Sequence, residues 1–593
     1  MRPFAVLALA GVLAPQAPQQ DARNTRIPHT DTHFQARSYP SREAWEAHKA
    51  RLRRQILFAA GLEPMPPKTP LNPQVFGRLN RDGYSIEKVY LETWPGFYLG
   101  GNLYRPLGKP GPFPAVATPH GHWNYGRLEE QPLSSSHRLS ANFARQGYVV
   151  FSYDMVGYND TIQTPHVFGG PAEQLWGFGP LGLQLWNSIR VVDFLSSLPE
   201  VDPTRIAATG ASGGGTQTFL LAAVDDRIRV SAPVVMVSAT MQGGCPCENA
   251  PGLRVDTFNV EFAAMMAPRP MILVASTQDW TRNTLEEEYP AIRNIYALYG
   301  AEDQVEAVLI DAPHNYNRDS REAVYRFFGR HLAGRAEAAQ IREESVPVEK
   351  LQDLLVFHAR PLPDNALTYA ELFESWKQMA RRQNETVSDP QLARQRLELA
   401  LKIAWPEQVA FSRGDGNRVY LWRPEAADRV PALWFPGKGA PVVFVHPGGA
   451  EAGRDSAEGR KLVTTGRPVL FLDAFQTGAA VAPRDRSHRH FLTFNLTDDA
   501  CRAQDILTAL AFVTKAAPGR PELAAVGEAR LWSLFAAAVA PVEVTLTADP
   551  GAFAGTDEEF ITQFFVPGIQ RAGGLKAARS ALSPPGSPGK AVP

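Results

Sequence analysis

Between residues 84 and 335, strand-like segments rich in valine and isoleucine alternate with helical segments, and this alternation constrains the fold more than any other feature. The strand-like segments lie at 84–94, 97–104, 114–119, 148–153, 205–209, 234–237, 271–275 and 305–310. Chains that alternate β and α elements form a mostly parallel sheet with helices on both faces. The sequence therefore predicts an α/β fold for this part of the chain.

The segment 205–209 runs directly into Gly210-Ala211-Ser212-Gly213-Gly214, and a helical segment follows. A GxSxG pattern between a strand and a helix is typical of a nucleophile elbow. Small neighbours relieve crowding at the tight turn, and the helix N-terminus offers N–H groups to a developing negative charge. The lysine and serine or threonine that end a phosphate-binding loop are missing. Ser212 is the predicted nucleophile.

An acid and a histidine follow two later strands, in the order that such a serine requires. Asp279 comes after the strand at 271–275, and His314 comes after the strand at 305–310. Catalytic groups collect at the carboxyl ends of parallel strands. Asp311 is a rival acid, but its closeness to His314 in sequence favours a role in shaping the loop. We predict a triad of Ser212, His314 and Asp279.

The segment after the strand at 114–119 reads His120-Gly121-His122-Trp123. A serine hydrolase needs two donors for the oxyanion of its tetrahedral intermediate. We predict the backbone N–H of Gly213 as one donor and that of Gly121 or His122 as the other. The candidate substrate-binding residues are His120, Trp123, Trp176 and Trp280. Core packing is the alternative role of the three tryptophans.

No metal site and no organic cofactor are expected. His120 and His122 could be metal ligands, but no acid or cysteine cluster with zinc spacing accompanies them. Cys245-Pro246-Cys247 has one intervening residue instead of the usual two, which favours a packed or disulfide-bonded loop over a metal or redox site. His488-Arg489-His490 is interpreted as an exposed loop.

The second half of the chain repeats landmarks of the first. Residues 188–212 align without gaps with residues 505–529, and both segments read as helix, turn, short strand and glycine. Strand-like segments also end at His446 and at Asp473, as earlier ones end at His120 and Asp154. The repetition favours an internal duplication, which predicts two related α/β units.

The second unit is predicted to be degenerate and non-catalytic. In the alignment Ala529 stands where Ser212 stands in the first unit, so this unit has no nucleophile. No histidine occurs after His490, so no base can follow in the required order. Packing, substrate positioning and carbohydrate binding remain open as roles of this unit.

The amino terminus has the pattern of a secretory signal peptide, with a basic start, an apolar run over residues 4–14 and a glutamine-rich stretch to residue 20. An apolar run of 11 residues is too short for a membrane-spanning helix, which needs about 20. We expect a secreted or periplasmic protein. The predicted parts of the chain are a signal peptide (1–20), a catalytic domain (30–335), a helical linker with the start of the second unit (336–427), a degenerate domain (428–580) and a disordered tail (581–593).

Charge excludes some partners. Sixty basic residues stand against 61 acidic residues, so the formal net charge of the 593 residues is −1. Nucleic acids and anionic membrane surfaces attract proteins with a strong positive field, and neither is expected as a partner. Three cysteines cannot form a disulfide framework for a chain of this size. The sequence makes no prediction about oligomeric state.

Four motifs, GASGGG, HGHW, STQDWT and DAPHN, together resemble the α/β-hydrolase superfamily over about residues 35–335. Within it, the chain resembles exported acetylxylan-esterase-like and dienelactone-hydrolase-like serine esterases. The resemblance implies the same nucleophile, acid, base and oxyanion donors as the spacing does. Glucuronoyl esterases usually carry an arginine after the serine, where Gly213 stands. Prolyl oligopeptidases share the hydrolase domain, but no propeller-like repeats precede it here.

These observations predict a secreted serine ester hydrolase that works through an acyl-enzyme. Its substrate is expected to be a small-molecule or polysaccharide ester, with deacetylation of a plant polysaccharide such as acetylxylan as the specific hypothesis. A serine peptidase or amidase of the prolyl-oligopeptidase-like branch is one alternative. A catalytically decayed binding protein is the other.

Overall fold

The computed structural model describes residues 17–385 and 389–583, and these residues form two compact units. The larger unit comprises residues 28–385 and 488–495, and the smaller unit comprises residues 17–27, 389–487 and 496–583. Most of the predicted signal peptide (residues 1–16) and of the predicted tail (residues 584–593) lies outside the described residues. The chain therefore crosses between the units more than once.

Residues 336–385 pack with the larger unit, whereas the sequence assigned them to a linker and to the start of the second unit. The side-chain amide of Asn102 donates to the carbonyl oxygen of Leu354, at 2.9 Å. The N–H groups of Val356 and Phe357 both donate to the carboxylate of Asp160, at 2.9 Å. These buried hydrogen bonds place the segment in the larger unit, and composition alone did not reveal them.

A nine-stranded sheet forms the centre of the larger unit, in the order β1-β2-β3-β7-β4-β8-β9-β10-β11. Pairing is antiparallel from β1 to β7 and parallel from β7 to β11, while β5 and β6 form a separate ribbon. The strands are β1 (Gln74–Arg81), β2 (Tyr84–Trp94), β3 (Phe97–Pro106), β4 (Phe113–Pro119), β5 (Glu130–Gln131), β6 (Ser134–Ser135), β7 (Val149–Tyr153), β8 (Val201–Ala211), β9 (Ile228–Val234), β10 (Met271–Gln278) and β11 (Val305–Pro313).

Helices flank this sheet. The central strands β4 and β7 are almost fully buried, as expected for apolar parallel strands with both faces covered. The core joins sheet residues such as Val150 and Ile272 to Val324 and Phe328 of a covering helix. The helices are Arg42–Ala59, Ser136–Arg145, Pro171–Leu175, Pro180–Ser197, Gly213–Val224, Asn259–Ala264, Glu288–Ala297, Arg318–His331, Leu351–Leu354, Tyr369–Glu385 and Phe491–Phe494.

The smaller unit holds a seven-stranded sheet in the order β12-β13-β14-β16-β15-β17-β18. Its pairing is antiparallel from β12 to β16 and parallel from β16 to β18. Order and direction repeat those of β1-β2-β3-β7-β4-β8-β9 in the larger unit. The strands are β12 (Ala410–Arg413), β13 (Arg418–Trp422), β14 (Val430–Phe435), β15 (Val442–Val445), β16 (Val469–Leu472), β17 (Glu522–Ala525) and β18 (Thr545–Thr547).

Within the described residues, the smaller sheet therefore has no counterpart of β10 and β11. Its helices are Ala22–Thr25, Pro390–Leu401, Gly449–Asp455, Ala457–Thr464, Asp498–Ala516, Ala529–Val539, Asp557–Gln563 and Gly574–Ala581. Among the helices described in either unit, none combines the length and apolar character needed to span a bilayer. The predicted α/β fold, with a mostly parallel sheet between helices, is confirmed for the larger unit.

Candidate active site

Ser212 sits at a sharp turn between β8 and the helix Gly213–Val224. Its backbone has φ 58° and ψ −126°, a conformation that costs a non-glycine residue about 1–3 kcal/mol. A Cβ on Gly210 or Gly214 would lie 2.3 or 2.4 Å from the carbonyl oxygen of Pro119 at the end of β4. Glycine is therefore required on both sides of the serine, which explains the elbow pattern in the sequence.

Asp279 and His314 meet at the carboxyl edge of the same sheet. His314 Nδ1 donates to Asp279 Oδ2 at 2.9 Å. The other carboxylate oxygen, Oδ1, accepts from the N–H of Thr281 at 2.6 Å and from its hydroxyl at 2.5 Å. Because Asp279 is buried and fully hydrogen-bonded, it fixes the imidazole with Nε2 directed away from the acid. The geometry suits an orienting acid and a base.

Asp311, the rival acid, faces elsewhere. It is exposed, and its carboxylate accepts from the Thr277 hydroxyl at 2.8 Å, between the ends of β10 and β11. The turn that carries His314 is held instead by the fully buried Asn315, whose side-chain amide donates to the carbonyl oxygen of Pro313 at 2.8 Å. Of the two candidate acids, the structure pairs His314 with Asp279.

Two tryptophans flank the histidine. The ring centroid of Trp280 lies 4.5 Å from that of His314, and the ring centroid of Trp123 lies 5.8 Å from it. Both tryptophan rings are tilted relative to the imidazole. Trp123 also reaches the elbow, because a Cβ placed on Gly121 would lie 3.2 Å from Trp123 Nε1 and 3.0 Å from Ser212 Cβ. Trp123 therefore lies near both the elbow and the histidine. Both rings are half-buried and available to line a substrate cleft.

The predicted oxyanion donors converge at the elbow. Gly121 packs so closely on it that a Cβ would lie 2.6 Å from the carbonyl oxygen of Ala211, and a Cβ on Gly213 would lie 2.6 Å from His122 Cε1. Among residues 17–385 and 389–583, the backbone N–H groups of Gly121, His122 and Gly213 have no hydrogen-bond acceptor. These donors can therefore receive a developing oxyanion.

His120 supports this loop from inside. Its Nδ1 donates to the carbonyl oxygen of Gly121 at 2.7 Å, and its Nε2 accepts from the N–H of Met155 at 2.9 Å. Burial lowers the pKa of His120 to about 3, so the ring is neutral. The candidate role of His120 in substrate binding is wrong, because both ring nitrogens are engaged and only 3% of the residue is exposed.

The segment after the oxyanion loop is anchored by a buried ion network that sequence reasoning missed. Arg127 Nε lies 2.9 Å from Asp154 Oδ1, and the same guanidinium pairs with Asp160. Burial raises the pKa of Asp154 to about 7, while Arg127 opposes that rise. Asp154 follows β7 and Arg127 follows the loop, so the network ties the loop to the sheet.

Trp176 has a packing role. It is 4% exposed, and the guanidinium of Arg381 lies over its ring at 5.2 Å. Its carbonyl oxygen accepts from Trp376 Nε1 at 3.1 Å. These partners lie on the helix Tyr369–Glu385, so Trp176 is not a surface for stacking a sugar. Of the three tryptophans proposed from the sequence, the structure brings only Trp123 and Trp280 to the histidine.

Residues 488–490 form a loop, as predicted, but only Arg489 is exposed, and both histidines are half-buried. The ring of His488 stacks on His29 with centroids 4.3 Å apart, and His490 Nε2 donates to the carbonyl oxygen of Gly244 at 3.3 Å. This segment belongs to the larger unit and holds the turn that contains Cys245 and Cys247. Both cysteines are free thiols, so the turn is packed and is not disulfide-bonded.

The corresponding turn in the smaller unit carries no nucleophile. There Gly527 has the positive φ, 56°, that Ser212 has in the larger unit, and Ala529 is the first residue of the following helix. The gapless alignment had placed Ala529 opposite Ser212, two residues too late. The outcome is unchanged, because neither Gly527 nor the adjoining Glu528 can act as a serine does.

Comparisons with known proteins agree with this architecture. Residues 83–239 match the family model for acetyl xylan esterase (AXE1). The hydrolase YtaP of Bacillus subtilis (strain 168) is 25% identical over 311 residues, which cover 47% of this chain and 99% of YtaP. The solved structure of Methylesterase BT1017 is 29% identical with a TM-score of 0.51, and the match covers 58% of this chain and 78% of that chain. The predicted resemblance to α/β-hydrolase esterases and the predicted class of ester hydrolase are confirmed.

Proposed function

We propose that the protein is an exported carbohydrate esterase in which Ser212, His314 and Asp279 form the catalytic triad. The observation that carries the proposal is the hydrogen bond from His314 Nδ1 to the buried Asp279, at the same sheet edge as a serine held in the strained elbow conformation. Preorganised acid, base and nucleophile at one sheet edge are the requirements of acyl transfer through serine.

In the proposed reaction, His314 Nε2 takes the proton of the Ser212 hydroxyl as Oγ attacks the ester carbonyl. The oxyanion of the tetrahedral intermediate accepts hydrogen bonds from the N–H of Gly213 and from the Gly121–His122 segment. His314 then gives its proton to the departing alcohol, which leaves an acyl ester on Ser212. Water attacks this ester with His314 again as base, and the acid is released. The residues of the chain supply every group that these steps use.

The substrate we propose is an acetyl ester of a plant polysaccharide such as acetylxylan, on the strength of the family match over residues 83–239. The half-buried rings of Trp123 and Trp280 beside His314 support a sugar-binding role, because aromatic faces pack on the apolar faces of sugars. Acetate release from acetylated xylan tests the proposal. The proposal requires that Ser212→Ala abolish the release of acetate. It also requires that a fluorophosphonate label map to Ser212.

A second candidate substrate is a methyl ester of a polysaccharide uronic acid, favoured by the match to Methylesterase BT1017. The same triad serves both reactions, but the polysaccharide is then the acyl group and methanol is the alcohol. Parallel assays on acetylated xylan and on methyl-esterified pectin distinguish them, since one releases acetate and the other methanol. Faster cleavage of aminoacyl amides than of either ester would reject both.

Export is part of the proposal. The signal-like segment would be removed near residue 20, and the first contacts of the smaller unit begin directly after that position. Arg23 pairs with Asp21 and with Asp505, each at 2.6 Å. Amino-terminal sequencing of protein recovered from the medium or periplasm is expected to show a start at or close to Asp21. A full-length chain retained in the cytoplasm would contradict export.

A further inference from the structure

Four metal-ligand side chains of the larger unit converge beside the elbow. His122 lies in the oxyanion loop, His166 lies between β7 and the helix Pro171–Leu175, and Cys245 and Cys247 lie in the turn after β9. One ligand atom from each residue falls within 4.8 Å of all the others. His122 Nε2 lies 3.1 Å from Cys247 Sγ, and His166 Nε2 lies 3.2 Å from Cys245 Sγ.

These separations are close to those of a tetrahedral zinc site. With Zn–S bonds of about 2.3 Å and Zn–N bonds of about 2.0 Å, neighbouring ligand atoms lie roughly 3.3–3.8 Å apart. The two histidine–cysteine pairs are already that close, so small side-chain rotations complete the shell. Two thiolates and two imidazoles are also the soft and borderline donors that favour Zn²⁺ over Mg²⁺ or Ca²⁺.

The surroundings hold the donors in place. His166 Nδ1 donates to the carbonyl oxygen of Val156 at 2.7 Å, which leaves Nε2 as the nitrogen that faces Cys245. The carboxylate of Glu248 accepts from the N–H of Cys245 at 3.2 Å, and the Asn249 amide donates to the carbonyl oxygen of Cys245 at 2.9 Å. Such outer hydrogen bonds orient ligands in known metal sites.

We propose that His122, His166, Cys245 and Cys247 bind one Zn²⁺ ion in a closed structural site. Four protein ligands leave no position for water or substrate, which distinguishes the site from a catalytic zinc. The sequence concealed it for two reasons: Cys245 and Cys247 are separated by one residue, and His166 is 79 residues away from Cys245. The expectation of no metal, based on spacing, is replaced by this proposal.

The site would brace the oxyanion loop. The ring of His122 already lies against the elbow, since a Cβ on Gly213 would be 2.6 Å from His122 Cε1. A metal bond to His122 Nε2 would fix this ring to the turn at Cys247 and to the loop at His166. In this role His122 is a positioning residue, and this second consequence rests on the proposed esterase function.

Metal content of the wild-type protein is the direct test. The full chain, purified without chelator, is expected to contain about one Zn²⁺ per molecule, measured by inductively coupled plasma mass spectrometry. After removal of zinc with 1,10-phenanthroline and reduction of the thiols, added Co²⁺ is expected to give thiolate-to-cobalt absorption and the intense visible bands of tetrahedral cobalt. A reduced protein that contains no zinc and gives no cobalt bands would overturn the proposal, as would a stable Cys245–Cys247 disulfide in the purified protein.

Variants separate this site from non-specific binding. His166→Ala and Cys245→Ser are expected to reduce zinc to near zero, whereas Cys501→Ser, a change at a buried cysteine of the smaller unit, is expected to retain it. Equal zinc loss in Cys501→Ser would overturn the assignment. The wild-type cobalt spectrum answers the question even if the site variants fail to fold.

Kinetics test the bracing role independently. Removing zinc is expected to lower kcat about 10- to 100-fold with little change in KM. Losses of this size are typical when the groups that hold active-site residues in place are removed. If the wild-type protein binds zinc but its kcat does not change when the zinc is removed, the bracing role is overturned. If no ester is hydrolysed but zinc is bound stoichiometrically, the proposed function fails while the zinc site stands.

Discussion

The ring of His122 occupies the space that a side chain on Gly213 would need. A Cβ on Gly213 would lie 2.6 Å from His122 Cε1 and 2.9 Å from Nδ1, closer than real Cβ atoms approach a neighbour. A side chain on Gly213 therefore requires the His122 ring to move. An arginine at this position, as in glucuronoyl esterases, is incompatible with the present arrangement of His122.

Gly213→Ala is expected to lower kcat by on the order of 10²-fold, because displacing the His122 ring disturbs the segment that carries one oxyanion donor. Steady-state hydrolysis of a small aryl acetate measures the effect. Gly179→Ala is the matched control, since Gly179 precedes a helix and has open space around its Cβ position. Equal activity in Gly213→Ala and the control would show that the His122 ring can move aside without disturbing the oxyanion donors, and would contradict the expected steric effect.

Asp279→Asn is expected to lower kcat by about 10⁴-fold, because an amide at this position favours the wrong tautomer of His314. Asp311→Asn, a change at the exposed rival acid, is expected to leave kcat within about twofold of the wild type, as is usual for residues outside the reacting groups. The two variants differ only in position, so rate measurements on both identify the acid. A larger loss in Asp311→Asn than in Asp279→Asn would reverse the assignment.

The triad could be predicted because each of its members follows a strand of the sheet. Ser212, Asp279 and His314 lie after β8, β10 and β11, and the period of the apolar segments reveals where those strands end. A parallel sheet then brings the strand ends to one edge without further information. Asp279 could be chosen over Asp311 because Asp311 lies only three residues before His314 in the sequence, and the structure makes the same choice.

Features that depend on packing between distant loops could not be predicted. His166 and Cys245 are 79 residues apart, and no periodic pattern links two irregular loops. The burial of His120 and Trp176 could not be predicted either, because polar and amphipathic side chains at strand ends and helix ends can point either into a cleft or into the core. The alignment misplaced the turn at Gly527, because a gapless alignment cannot show where a turn ends and a helix begins.

His120 is expected to make the stability of the protein depend on pH. Its pKa is lowered to about 3 by burial, whereas the unfolded chain titrates near 6.5, so the unfolded state binds more protons between these values. The stabilisation is present above pH 6.5 and is lost as the pH falls toward 3. Between pH 7 and pH 5 the wild type should lose about 2 kcal/mol relative to a variant without this group, at 1.36 kcal/mol per pKa unit.

Urea unfolding of wild type and His120→Gln at both pH values measures this difference. The glutamine variant is expected to be less stable at pH 7, because two buried hydrogen bonds are disturbed. The gap between the proteins should then narrow at pH 5. A gap that stays constant or widens would show that His120 is protonated in the folded protein, contrary to its burial.

Arg23 is expected to be essential for the stability of the smaller unit. Its guanidinium lies 2.6 Å from Asp505, whose side chain is 1% exposed, and it stacks 4.5 Å from the Phe475 ring. Removing one partner of a buried ion pair typically costs 3–5 kcal/mol, because the remaining charge is left without compensation. Arg23→Ala should therefore lower the free energy of unfolding by about that amount near pH 8.

The loss in Arg23→Ala should be smaller at pH 5.5, since burial raises the pKa of Asp505 to about 7 even in the presence of Arg23, and a protonated carboxyl needs no cation. Arg26→Ala is the control, because Arg26 is an exposed arginine in the same segment. The melting temperatures of both variants at both pH values are measured by thermal unfolding, monitored by near-ultraviolet circular dichroism. Equal melting temperatures for the two variants would show that the Arg23–Asp505 pair contributes nothing, whereas the expected gap makes residues 21–26 a structural part of the smaller unit.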